Sequence, residues 1–124
     1  MAKVLIEGDI LLIELSLLDR MLAFHGSFRI PLSHVTNAFA SAFEDLGLQF
    51  KLLGTGLGVI KEAGIFTTPS GIIFCDISGW KDCLVVETRG ERFPKIAVTL
   101  DDGVDLNALA HEIMQRVPDG GPVE

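Results

Sequence analysis

The sequence is short of the residues and patterns that most functions require. It has two cysteines, Cys75 and Cys83, in 124 residues, too few for the disulfide framework on which small secreted domains rely. Met1-Ala2-Lys3-Val4 does not lead into the long apolar core of a secretory leader, so the expectation is a cytoplasmic protein with reduced thiols. No run approaches the roughly 18 apolar residues of a membrane span. Membrane association is therefore disfavoured, and the 48% hydrophobic content is assigned to a core or a subunit interface. Basic residues are also few: ten Lys and Arg stand against seventeen Asp and Glu, a formal charge of −7. That balance opposes binding to phosphate backbones, and nucleic acid is set aside as a partner.

The motifs of catalysis are missing as well. His25, His34 and His111 form no HxxxH or HxH spacing, and Cys75 and Cys83 are eight residues apart, unlike a zinc knuckle. A metal site would have to be assembled in space, for example from His25, His34 and Asp76. Ser33 and His34 are neighbours in sequence, and on a strand they would point to opposite faces, which prevents a nucleophile and base pair. His34 reads as a surface or turn histidine, and Ser33 as a local partner of the backbone. The glycines Gly54, Gly56 and Gly58 have no following Lys-Ser/Thr, and Val59 occupies the sixth position of the dinucleotide fingerprint. A tight loop beside a strand is the expectation there, with a phosphate cradle near Lys61 as the alternative. Asp76 and Asp82 beside the two cysteines would raise a thiol pKa, so Cys75 and Cys83 read as small buried hydrophobes; whether they pair stays open. The carboxylates Glu7, Asp9, Glu44, Asp45, Glu87, Glu91, Asp101, Asp102 and Asp105 fall in turns and flanks, where solvation accounts for them. No catalytic, cofactor or metal residue is assigned, and no cofactor is implied.

What is present is a layout. At 13.4 kDa the chain can build one core and is too short for two; residues 1–117 are expected to form a single domain and 118–124 a flexible tail. Residues 4–6 and 10–15 are apolar runs around Glu7-Gly8-Asp9, a hairpin signal. Residues 16–24 fit a short helix capped by Ser16, with Asp19 at the capping-box spacing, and fit a continued strand equally well. Pro31 forces the preceding residues to be extended. Residues 35–43 begin as strand, although Ala38, Ala40 and Ala42 also suit a helix. Turn signals at 68–71, 78–79 and 89–91 separate further strands at 72–74, 83–88 and 93–100. Six to eight short strands at this spacing predict a barrel or sandwich. Asp105 can cap a final helix whose apolar stripe is Leu106, Leu109, Ala110, Ile113, Met114 and Val117, with His111 off the stripe.

Four segments in this order, residues 30–35, 54–58, Phe74 with Asp76, and 90–92, resemble the PH-like domains of bacteria, most closely a small uncharacterised family of that kind. Cys75 stands where an aromatic would be expected, and Trp80 lies further on. The resemblance implies a mainly β fold with one C-terminal helix, a bent antiparallel barrel with the helix over one end. It implies no defined activity, since folds of this kind bind peptides, lipids or partner subunits.

The functional expectation is a non-enzymatic recognition or scaffolding domain that binds protein or peptide. Self-association is expected because Phe24, Phe28, Phe39, Phe43, Leu46, Leu48 and Phe50 exceed what a small barrel and one helix stripe absorb. The alternatives are a structural subunit serving only homo-oligomeric assembly, a small enzyme with a pocket made by the fold, and a lipid-binding module. For the last, Lys81, Arg89, Arg92 and Lys95 are the candidate cluster, interleaved with Asp82, Glu87 and Glu91.

Overall fold

A computed structural model describes residues 2–23, 26–56, 61–79 and 81–118. The N-terminal hairpin forms around Gly8, whose φ of 62° supplies the left-handed turn that closes a two-residue loop. It joins β1 (Lys3–Glu7) to β2 (Ile10–Glu14), with Glu7 opposite Ile10. The segment that fitted helix and strand equally is α1 (Leu17–Ala23), and the Ser16 hydroxyl oxygen accepts from the Asp19 N–H at 3.1 Å. β3 (Phe28–Pro31) adds to β2 and completes a three-stranded sheet.

Pro31 ends that sheet. A 3-10 turn at Leu32–His34 follows it, and the chain enters a second sheet made of β4 (Val35–Ser41), β5 (Lys51–Gly56), β6 (Lys61–Thr68), β7 (Gly71–Ser78), β8 (Cys83–Thr88) and β9 (Lys95–Val98). Its strand order is β4-β8-β9-β7-β6-β5. This overturns the expected PH-like barrel. Among the described residues the pairing gives two sheets of three and six strands, neither closed on itself, in a mixed α and β domain with two α-helices. Two local events account for the difference. The turn after Pro31 moves β3 and β4 into different sheets, and β9 inserts between β7 and β8, parallel to β7 and antiparallel to β8, where a barrel of sequential hairpins would pair β7 with β8. An isolated parallel bridge, Ala2 to Leu100, joins the residue before β1 to the chain just after β9.

Both faces of the central strands of the six-stranded sheet are buried, and the strand period sorts the side chains between them. Ala38, Ile65, Phe74, Leu84, Val86, Ile96 and Val98 face the larger core, shared with Leu11, Ile13 and Ile30 of the small sheet. Phe66, Ile73, Cys75, Ile77, Cys83, Val85 and Ala97 face the other way. The cover on that second face follows from the topology: β4 and β5 are consecutive in sequence but stand at opposite ends of the sheet. Residues 42–50, which include a 3-10 turn at Phe43–Leu46, cross from one end of the sheet to the other. The crossing carries Phe43, Leu46 and Leu48 onto the second face.

The last helix, α2 (Leu106–Arg116), is the one the sequence predicted. The Asp105 carboxylate accepts from the Ala108 N–H at 3.0 Å, and the apolar stripe packs on the larger core, with Ala110 and Ile113 buried. Asp105→Ala is expected to lower stability by about 1 kcal/mol, read as a shift of the urea midpoint with unchanged slope. No described helix is long and apolar enough to cross a membrane.

Candidate functional site

The side chains singled out in the sequence are dispersed. His34 lies on the 3-10 turn rather than on a strand, with its Nδ1 within hydrogen-bond distance of the Glu91 carboxylate. That pair fastens the turn between β8 and β9, as do the Arg89 N–H donating to the His34 carbonyl at 2.8 Å and the buried Thr88 hydroxyl donating to the Phe93 carbonyl at 2.7 Å. Ser33 is exposed, and no hydrogen bond joins it to His34. Asp76 is fully buried on β7, in register between Ala63 and Val98, so it sits in the core, whereas His34 is on the half-exposed turn. His25 lies outside the described residues, as do residues 57–60 of the glycine-rich segment and Trp80. His111 is exposed on α2. Among the described residues no group of three His, Cys, Asp or Glu side chains is placed to hold a metal ion.

Cys75 and Cys83 are free and buried. They share a face but lie on β7 and β8, with β9 between them. Two strand spacings, about 9.5 Å, exceed the reach of a disulfide. Burial pushes the Cys83 thiol up to about 12, with Asp82 adding a smaller contribution in the same direction. The basic cluster is likewise broken up: Lys81 pairs with Asp102 at 2.8 Å, Lys95 with Glu87 at 3.5 Å, and the Arg92 guanidinium stacks 5.0 Å from the Phe93 ring centroid.

Of the apolar residues that exceeded a small barrel's needs, Leu46 is buried, Phe28, Phe39, Phe43 and Leu48 pack against the two cores, and Phe24 lies outside the described residues. Phe50 is different. It is 73% exposed, next to Leu52 at 59% and Leu53 at 46%, and all three lie at or on β5, the end strand of the large sheet. Residues 49–50 hook onto β6: the Thr67 N–H donates to the Phe50 carbonyl at 2.8 Å, and the Gln49 N–H to the Thr67 carbonyl at 2.9 Å. The register then shifts between Lys51 and Leu53. A bulge of this kind re-aims side chains, and here consecutive leucines both reach solvent. Beyond it, Gly54, Thr55 and Gly56 pair regularly with Gly64, Ala63 and Glu62. Two of the three residues in this half of the strand are glycines. Sequence reasoning placed a loop at these glycines and missed the edge.

Lys51 is the sole charged residue from 49 to 56 in a chain of net charge −7, and it lies 5.6 Å from the Phe66 ring centroid. α1 packs beside β5 and β6, and its Leu17 and Met21 are exposed. The outer side of β5 thus combines main-chain hydrogen-bonding groups, a glycine-lined approach and large apolar side chains. That combination suits pairing with another extended chain.

No family model, curated protein or solved structure matches the chain. The resemblance to bacterial PH-like domains gains no support from these comparisons, and the open sheet opposes it.

Proposed function

We propose that the protein is a non-enzymatic recognition module that captures an extended segment of a partner protein by strand addition to β5. The observation that carries this reading is the pairing of a glycine-lined sheet edge with Phe50, Leu52 and Leu53 held in solvent. Main-chain hydrogen bonds along Gly54–Gly56 would supply affinity without regard to sequence, and the three apolar side chains would select alternating apolar residues on the incoming strand. Charge favours an acidic residue opposite Lys51. The end strand of a sheet is a standing risk of unwanted pairing, which proteins otherwise blunt with charge or proline; a binding role accounts for its retention.

The test is to pan a displayed library of random eight-residue peptides against the full chain. Alternating apolar sequences are expected, with amide shifts at residues 50–56 and binding weakened at least about tenfold by Leu52→Lys or Leu53→Lys. Peptides that bind elsewhere, or that are indifferent to both substitutions, count against the reading. Homo-oligomeric assembly through the same strand is the second reading, favoured by the exposed Leu17 and Met21 alongside. It replaces the first if panning yields nothing and sedimentation shows a dimer that Leu52→Lys dissolves.

A further inference from the structure

We propose that the cleft bounded by the ends of β1 and β2 and the start of α1 binds a small organic phosphate, at a site that uses no residue of β5. The cleft encloses about 530 Å³ and is lined by Lys3, Glu14, Leu15, Ser16, Arg20 and Ser27, a volume in the range of small-molecule sites. Among the described residues that line it are two cations, Lys3 and Arg20, and one carboxylate, Glu14, in a chain of net charge −7.

The donors are arranged by the backbone around Leu15. The Leu15 N–H donates to the Ser27 hydroxyl oxygen at 3.0 Å, and the Asp19 N–H to the Ser16 hydroxyl oxygen at 3.1 Å. Each hydroxyl therefore acts as an acceptor toward the backbone and keeps its own hydrogen to donate. The Arg20 Nε–H donates to the Leu15 carbonyl at 3.1 Å, which orients the guanidinium and leaves its two terminal nitrogens for a ligand. Such a fork matches two oxygens of a phosphate.

Lys3 and Glu14 are opposite each other in the β1–β2 register, and no ion pair among the described residues engages Lys3, Glu14 or Arg20. Both cations are available to an anion. Glu14 provides an acceptor for a hydroxyl or amino group on the organic part. A guanidinium, an ammonium and two hydroxyl donors suit the several acceptor oxygens of a phosphate monoester better than the two of a carboxylate. The phosphate could belong to a soluble metabolite or to a lipid headgroup.

The experiment titrates the full-length ¹⁵N-labelled chain with glycerol 3-phosphate and, in parallel, mixes it with vesicles of phosphatidylcholine containing phosphatidic acid. Saturable shifts confined to the amides near Leu15, Ser16, Arg20 and Ser27 are expected, with affinity reduced at least about tenfold by Arg20→Gln. Lys3→Gln, an exposed substitution that leaves the Leu15 hydrogen bonds in place, is expected to weaken binding in the same direction. Binding of the soluble ester alone assigns the phosphate to a metabolite. Vesicle pelleting that both substitutions abolish assigns it to a lipid. No saturable response to either probe, or binding that both variants retain in full, overturns the proposal.

Discussion

Replacing Phe74 by alanine is expected to bring the domain to the edge of unfolding. Phe74 is fully buried, and its ring meets Phe28 edge-on at 4.9 Å and Phe93 at 5.7 Å between centroids. It also lies in register between Ile65 on β6 and Ile96 on β9, so it touches both halves of the large sheet and the small sheet above. Truncating a buried phenylalanine removes about 3 to 5 kcal/mol, and each lost aromatic pair adds about 0.5 to 1.5 kcal/mol. A domain of this size holds roughly 5 to 15 kcal/mol in total. Urea melts followed by circular dichroism measure the loss. A change below about 1 kcal/mol would mean that Phe74 is not the keystone of the larger core. Phe50→Ala is the control: at 73% exposure it should alter stability by no more than about 0.5 kcal/mol.

The second large effect concerns Cys83 in alkali. With its thiol raised from 9.0 to about 12, first by burial and then by Asp82, the folded protein carries about a thousandth of the thiolate that an unperturbed cysteine would at pH 8. Alkylation by iodoacetamide should accordingly be slow in buffer and fast in urea. The same shift is linked to stability. Below pH 9 the thiol is protonated in both the folded and unfolded chains, and its contribution is fully present. Between pH 9 and about 12 the unfolded chain releases the proton and the folded chain keeps it, so stability falls as pH rises, by an amount on the order of a few kcal/mol across the window. Cys83→Ala removes this group alone. If the variant and the parent lose stability in parallel from pH 9 to 12, Cys83 is not the cause.

How far the sequence could be read depended on whether local pattern and tertiary placement agreed. α2 was legible because Asp105 caps it and Leu106 to Val117 repeat at helical spacing. β8 was legible because turns bracket a clean alternation, with Leu84 and Val86 on one core and Val85 on the other. Residues 16–24 were ambiguous because an apolar run fits both periods; the Ser16 cap decides for the helix at Leu17–Ala23. β7 was expected to stop at Phe74, but it runs to Ser78 through Asp76, a carboxylate buried where a polar residue normally marks an end.

Sheet order had no local signal. The insertion of β9 and the crossing of residues 42–50 join segments far apart in the chain, and the turn residues of a barrel and of an open sheet are the same. The candidate edge was hidden for a different reason. The bulge at Leu52 breaks the strand period, so residues 46–53 look only loosely alternating, and the glycines beyond it resemble a loop. The available clue was the single charge between 49 and 56, too little polarity for a solvated loop.

The insertion of β9 also orders events in time. Synthesis runs from the N-terminus, so β7 and β8 emerge from the ribosome ahead of the strand that separates them. Paired with each other directly, they would occupy the slot that β9 needs and shift β4 and β8 by one strand against the rest of the sheet. The lateral edge of β7 therefore has to stay empty until residues 95–98 arrive. For that interval the nascent chain carries a second vacant edge besides that of β5, one that closes as the last strand threads into the middle of the sheet.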